Sequence, residues 1–435
     1  MLTAFARAFR TPDLRNKLLF TIAIMAIFRL GSFIPVPGVD YVAVQQCLPS
    51  ANASGVLGLV NLFSGGALLQ LSIFALGIMP YITASIIVQL LTVVIPRFET
   101  LKKEGQAGTA KLTQYTRYLT IGLAVLQSAT LVTLARNPQN LFGVQCANPV
   151  VPNTSAPTIL IMILTMTAGT GVIMWLGELI TDRGIGNGMS LLIFTQITAR
   201  FPTSLWSIKT SKDSWAIFLM VIAVGIVVMA LVVFVEQCQR RVPVQYAKRM
   251  IGRKMYGGTT TYIPLKLNMA GVIPVIFASS LLYLPALLTQ FQSQTHPPGW
   301  AKWVQINLVR GDHPVYIISY FILIVFFTYF YVSITFNPDE VADNMKKYGG
   351  FIPGIRAGRP TAEYLDYILT RITFPGSLYL GTISLIPIIA LVLVNANQNF
   401  PFGGTSILII VGVGLETVKQ IESQLQQRHY EGFLR

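Results

Sequence analysis

Charge is scarce in this chain. Of its 435 residues, 11% are Asp, Glu, Lys or Arg, while 53% are hydrophobic. A soluble protein of this size carries roughly 25% charged residues. Too few charges are present to coat a water-facing surface, so much of the surface must face lipid. Histidine and cysteine are scarcer still, at three each. His296 and His313 fall in outer loops and His429 lies near the C-terminal end, so no His pair can build a metal site. Cys47, Cys146 and Cys238 show no metal or redox spacing. Cys47 and Cys146 fall in loops on the same outer side, so a disulfide is open to them, although neither spacing nor number demands one.

Acids are missing from the places where a coupled transporter needs them. No Asp, Glu, Lys or His lies in the central part of any apolar run, and Arg29 is the one strong charge more than two residues inside a span. Proton- and ion-coupled carriers usually keep ionisable residues there, because those residues carry the coupling. GIGNG at 184–188 lacks a nucleophile, a phosphate-loop lysine and the flanking strand such a loop requires. Its glycines read better as a tight turn into the following helix. Nothing points to an enzyme, a metal or a cofactor, and no nucleotide-binding motif is present.

Long apolar runs are abundant, and several exceed the roughly 18 residues needed to cross a bilayer. The first, Leu18 to Phe33, follows Arg7, Arg10, Arg15 and Lys17 and could pass for a secretion signal. It is interrupted by Arg29 and followed by Pro35 and Pro37 rather than a small-residue cleavage site, so it reads as a retained helix. Apolar windows predict spans near 18–34, 71–95, 118–135, 159–180, 189–201, 215–235, 269–291, 315–336, 372–394 and 405–418. The fifth and tenth are short, but charge supports them. With ten spans, 25 of the 32 Lys and Arg fall on the side shared by both termini, six fall opposite, and Arg29 completes the set. The positive-inside rule makes the basic side cytoplasmic.

The expectation is therefore an all-α membrane protein of ten helices with both termini cytoplasmic. The cytoplasmic segment Glu236–Asn268 holds Arg240, Arg241, Lys248, Arg249, Arg253, Lys254 and Lys266 against one acid, with Tyr246, Tyr256 and Tyr262 interleaved. Orientation needs fewer charges than this. The surplus suits an anionic partner, such as ribosomal RNA or an acidic protein face.

Two pairs of helices repeat a pattern. GIMPYITASIIVQLL at 77–91 aligns with GVIPVIFASSLLYLP at 271–285, matching Gly77/Gly271, Pro80/Pro274, Ile82/Ile276, Ala84/Ala278, Ser85/Ser279 and Leu90/Leu284. GMSLLIF at 188–194 aligns with GTSILII at 404–410, matching Ile193 with Ile409. The pairs join helix two to seven and five to ten, as two five-helix halves would. An odd number of helices per half makes the repeat inverted, and interrupted segments of such repeats usually line the functional path.

Ile82, Ile193, Ile276 and Ile409 could then meet near the midplane, with Ile78 one turn from Ile82 and Met189 one turn from Ile193. A ring of aliphatic side chains offers an ion nothing to bind and closes by excluding water. Ordinary helix packing is the plainer reading of the same residues. Ahead of helix two, GVLGLVNLFSGGALLQL at 55–71 is too short and too glycine-broken to span. It reads either as a half-helix hinged at Gly65-Gly66 that folds into a cavity, or as a surface segment.

The runs RLGSFIPVPGVD (29–40), NLFSGGALLQLSIFALGIMPYITASIIVQLLTVV (61–94), WLGELITDRGIGNGMS (175–190), PLKLNMAGVIPVIFASS (264–280) and NPDEVADNMKKYGGFIPGIRAGRPT (337–361) resemble SecY. SecY proteins are the central subunits of bacterial Sec protein-conducting channels. The resemblance runs from about residue 16 to the C-terminal end.

It implies a pore ring of Ile78, Ile82, Met189, Ile193, Ile276 and Ile409, and a plug near 57–70 that includes Asn61, Phe63, Ser64, Gly65 and Gly66. A lateral gate between helices two and three and helices seven and eight would carry Thr83, Gln127 and Asn268. SecA and the ribosome would dock on loops 236–268 and 337–371, with Arg356 as a key cation. SecE, SecG, signal peptides, nascent chains and membrane lipids complete the implied partners, and self-association stays open. The implied setting is the plasma (inner) membrane, with an N-terminal half at 1–206 and a C-terminal half at 207–435. A small-molecule secondary transporter, also built from inverted repeats, is the alternative. It calls for a polar midplane site, where this sequence offers aliphatic residues.

Overall fold

The computed structural model describes residues 9, 11–47, 64–136, 148–212, 215–246, 249–251, 254–256, 260–290, 298–309, 313–394 and 404–431. Cys146, Asn61, Phe63, Lys248 and Arg253 lie outside the described residues. The helices are α1 Pro12–Gly31, α2 Tyr41–Cys47, α3 Met79–Val94, α4 Pro96–Lys103, α5 Gln106–Arg136, α6 Ala156–Arg183, α7 Gly188–Lys212 and α8 Trp215–Gln237. They continue with α9 Ile273–Gln290, α10 Gly299–Val304, α11 Pro314–Thr335, α12 Pro338–Lys347, α13 Arg359–Val394 and α14 Gly404–Glu431.

Ten of these have 16 residues or more, and each overlaps one predicted span. By length and apolarity alone, three described stretches could cross a membrane: α5, α6 and the run Pro314–Lys347. The pair α3 and α4, bent by 100° at Ile95, makes a fourth.

Local chemistry explains where helices begin. Proline in the first turn opens α1, α3, α6, α11 and α12, where its missing N–H forfeits no helical bond. Asn337 caps α12 by accepting from the N–H groups of Asp339 and Glu340. Acids in that first turn and Lys346 and Lys347 in the last complement the helix dipole.

Helix two does not start at residue 71 as predicted. Residues 64–78 form successive turns, and α3 begins only after Gly77, whose φ is +57°. Apolarity alone cannot separate buried turns from a buried helix. These turns are pinned to the loop after α1, where the Val36 N–H donates to Leu71 O (3.1 Å) and the Ile73 N–H to Ile34 O (2.9 Å). The ninth and tenth helices extend well beyond the apolar windows, because α13 opens and α14 ends in polar turns that a hydropathy reading passes over.

The all-α expectation also needs correcting, for the fold is mostly helical but not entirely so. The basic segment forms strands β1 Gln239–Tyr246, β2 Arg249–Ile251, β3 Lys254–Tyr256 and β4 Thr260–Lys266, and β5 Gly350–Phe351 comes from the following loop. β1 lies between β4 and β5, both antiparallel, with Gln239 opposite Lys266 and Tyr246 opposite Gly350. β2 and β3 form a separate hairpin. Val242, Val244, Leu265, Met345, Ile352, Leu365 and Leu369 pack beneath the three-stranded sheet as a small core of their own. The two loops read separately in sequence are thus one folded unit. Cys47 is disulfide-bonded, and Cys238 is a free thiol.

Candidate functional site

The main apolar core runs through the helical body and contains Ile78, Ile82, Ile193, Ile276 and Ile409, with Met189 packed against it. All five isoleucines are between 1% and 9% exposed. Ile82, Met189, Ile193 and Ile276 share more than a core: all four line one cavity of about 500 Å³. Three helices that lie far apart in the chain converge there, since α3 supplies Ile82, α7 supplies Met189 and Ile193, and α9 supplies Ile276. Ile78 caps α3, and Ile409 belongs to α14, which packs on α7; neither lines the cavity.

Glycine sets the closeness of this wall. A Cβ on Gly177 of α6 would overlap Met189 Sδ, and one on Gly188 would overlap the Gly177 carbonyl, so α6 and α7 touch through bare backbone.

Much of the remaining lining of the cavity is polar. Arg117 on α5 donates from Nε and Nη2 to the two carboxylate oxygens of Glu178 on α6, each at 2.8 Å. Asp182, Thr181, Asn187 and Tyr81 line the same space. Sequence reasoning missed this pair. Its members are charges beside apolar runs, 61 residues apart, and only the packing of α5 on α6 joins them. Among the described residues, no three His, Cys, Asp or Glu side chains gather in a way that could hold a metal.

Of the plug residues within the structure, Ser64, Gly65 and Gly66 are buried, as are Ala67, Leu68, Leu69 and Leu71. Ser64 Oγ accepts from the Leu68 N–H at 3.2 Å, and Gly65 and Gly66 have φ of +63° and +91°. The segment therefore lies inside the helical body rather than on its surface.

The gate residues separate into two groups. Thr83 on α3 and Gln127 on α5 are buried, these helices pack on each other, and α9 touches both. Thr83 donates to its own helix, at Met79 O. Asn268 instead donates to Glu236 Oε1 (2.6 Å) and Gly271 O (3.1 Å), tying the end of α8 to the start of α9. No hydrogen bond among the described residues joins the three.

The basic residues occupy the sheet unit. Arg240 and Arg241 are exposed on β1, and Arg241 lies 4.8 Å over the Tyr262 ring of β4. Arg249 and Lys254 belong to the β2–β3 hairpin. Arg356 is exposed at a loop tip between Gly354 and Gly358, whose φ values are +84° and +102°. Its carbonyl accepts from Thr361 Oγ1 at 2.8 Å, which fixes the tip. Pairing of β1 with β5 brings the 350s loop against the end of the basic strand, so Arg240, Arg241 and Arg356 belong to one folded unit.

The SecY family model matches residues 72–418, which includes the α3, α7, α9 and α14 contributions to this arrangement. The chain belongs to the SecY family. It is 70% identical over 441 residues to the protein translocase subunit SecY of Streptomyces galbus, with both chains covered in full. It is 59% identical over 444 residues to that of Mycobacterium tuberculosis, again with full coverage of both. A solved protein-conducting channel superposes with a TM-score of 0.61 at 18% identity, covering 94% of this chain and 91% of that one. Canine Sec61 in a ribosome–channel complex gives 0.61 at 17% identity, with the same coverage. At those identities the structural likeness shows the SecY fold.

Proposed function

We propose that this SecY-family chain is the passive channel-forming subunit of a protein translocase, passing unfolded preproteins across the plasma membrane and releasing membrane segments sideways into lipid. One observation carries the reading. Aliphatic side chains from α3, α7 and α9 converge on a single cavity, with a buried glycine-hinged segment folded into the same body. An aliphatic constriction yields to a bulky chain yet denies ions a binding site. Met189, the one unbranched member, suits a gasket that must deform.

The ten long helices act as ten spans in two inverted halves, 1–206 and 207–435, with both termini cytoplasmic. Gly77 and Gly271 support the repeat, since matched residues share a left-handed backbone, +57° and +61°, just before matched helices. Ile78, Ile82, Met189, Ile193, Ile276 and Ile409 form the ring, and residues 57–70 form the plug. The seam where α9 meets α3 and α5 opens as the lateral gate, with Thr83, Gln127 and Asn268 as its polar positions. Interhelical hydrogen bonds inside membranes are weak, about 0.6 kcal/mol on average, so such a seam can part readily.

The platform of Arg240, Arg241, Lys248, Arg249, Arg253, Lys254 and Arg356 receives SecA or the ribosome. A fixed guanidinium at a loop tip presents a planar fork to carboxylate or phosphate. The relatives' names and the ribosome-bound neighbour are consistent with these partners, and SecE and SecG complete the complex. The chain supplies a path, and the docked motor supplies the work. The test is to reconstitute the chain with SecE and SecG and add SecA, ATP and a signal-bearing preprotein. Protease-protected preprotein inside the vesicles is expected. Uptake of a small solute without any preprotein would instead favour a transporter.

A further inference from the structure

Arg29 is a charge within a span to which a passive channel gives no task. Its Nη1 donates to Gly65 O at 3.0 Å, and its guanidinium lies 4.7 Å over the Phe33 ring. The next residue of the same turn meets a second cation, because a Cβ on Gly66 would overlap the guanidinium of Arg200 on α7. A Cβ on Gly65 would lie 3.2 Å from Gln196 Cβ and 3.3 Å from Arg29 Nη1. Both glycines adopt positive φ, so this turn requires glycine for backbone and for space alike.

Gln196, one helical turn before Arg200, is fully buried, and its amide nitrogen and oxygen have no partner among the described residues. Neither arginine has a carboxylate partner among them. Residues 48–63, which lead into the turn, contain no Asp or Glu. Two cations from different helices thus close on one glycine pair, and Gly65 O is the acceptor that one of them uses.

The geometry points to a clamp: Arg29 and Arg200 grip the Gly65–Gly66 hinge and hold the buried segment at 64–70 in the resting position, as positioning residues for the closed channel. The inference rests on reading that segment as the plug. A guanidinium-to-carbonyl bond in a poorly solvated site is charge-assisted and directional, so it fixes the hinge more firmly than apolar contact could. Withdrawing the hinge strips Arg29 of its acceptor, which favours the hinge's return.

The test compares resting ion conductance of reconstituted SecE- and SecG-bound complexes. Deleting residues 57–70 should raise the leak. Arg29→Met and Arg200→Met should each raise it several-fold, and Arg29→Lys should recover part of the seal by donating to Gly65 O. Gly66→Ala, which keeps both charges but displaces Arg200, should leak as well, and it serves if a Met variant fails to assemble. In the deletion background neither Met substitution should add to the leak. If the deletion stays tight, the plug reading fails and the clamp with it. If the deletion leaks while the Met and Ala variants stay tight, the clamp alone is overturned. Added leak on top of the deletion would also overturn it, showing that the arginines act on the body at large.

Discussion

The starts of α3 and α9 are alike in themselves and unlike in what precedes them. Each follows a glycine in the left-handed region, carries a proline in its first turn and places an isoleucine, Ile82 or Ile276, on the shared cavity. Before α3, however, the chain folds inward through buried turns held by the loop after α1 and by Arg29. Before α9 it forms an antiparallel sheet with exposed basic side chains. One helix design thus serves two antecedents. Under the proposed function, the wall of the path depends on the shared part, while stopping and docking depend on the parts that differ.

The shared part can be broken first, and this should have the largest effect. Ile82→Ser and Ile276→Ser remove aliphatic side chains from opposite members of the pair and admit water to the constriction. Each should raise resting ion conductance in reconstituted vesicles, and the double variant should raise it by an order of magnitude or more. Unequal single effects would mean that only one of the helices forms the wall. No change in either would end the gasket assignment.

The parts that differ should fail in different assays. Arg356→Glu reverses the charge at the fixed loop tip, at a residue that does not line the cavity. SecA-driven preprotein transport should fall to a small fraction of its normal rate, while resting conductance stays unchanged. Full transport with SecA would remove Arg356 from the docking surface. A leak would show that the platform and the path are not separable.

Val244 tests whether the platform is a single unit. It is buried on β1 as part of the small core beneath the three-stranded sheet, which also holds Met345 and Ile352 on either side of β5. Val244→Asp places a carboxylate in this apolar core, a change that costs several kcal/mol when the charge stays buried. Hydrogen exchange at Gly350 and Phe351 should accelerate along with that of β1, and SecA-driven transport should drop with them. Unaltered exchange at β5 would mean that the two loops fold independently.

How much of this was legible in the sequence follows the same division. Apolar runs and the repeat located the helices and the matched isoleucines, because hydrophobic length and spacing are one-dimensional properties. Pairing across the chain is not. β1 with β5 joins residues about a hundred positions apart, and Arg117 with Glu178 joins two helices. Neither leaves a local pattern. The strands of the basic segment were hidden because their charges read as topology and their alternation is short. Asn268 was assigned to the gate seam by resemblance, yet its hydrogen bonds go to Glu236 and Gly271, a choice set by the tight turn into α9. Gln196 and Arg200 carried no signal in sequence, since their importance comes from a glycine turn more than a hundred residues earlier.

The smallest effect bears on the likeness itself. Gly271 has nothing within 4 Å of where a Cβ would sit, so its positive φ alone asks for glycine. An L-residue in that conformation costs roughly 1–2 kcal/mol. Gly271→Ala should therefore lower the thermal stability of the complex by about that amount without altering the cavity wall. Gly77→Ala faces the same backbone penalty at φ +57°, but inside the buried turns ahead of α3. If the two starts are equivalent only as backbone, Gly77→Ala should cost more than Gly271→Ala and should also leak at rest, because its strain is relieved into the segment that Arg29 holds. Equal costs and no leak would mean that the turns before α3 yield as freely as open solvent, and the contrast between the two antecedents would then lie in their charge alone.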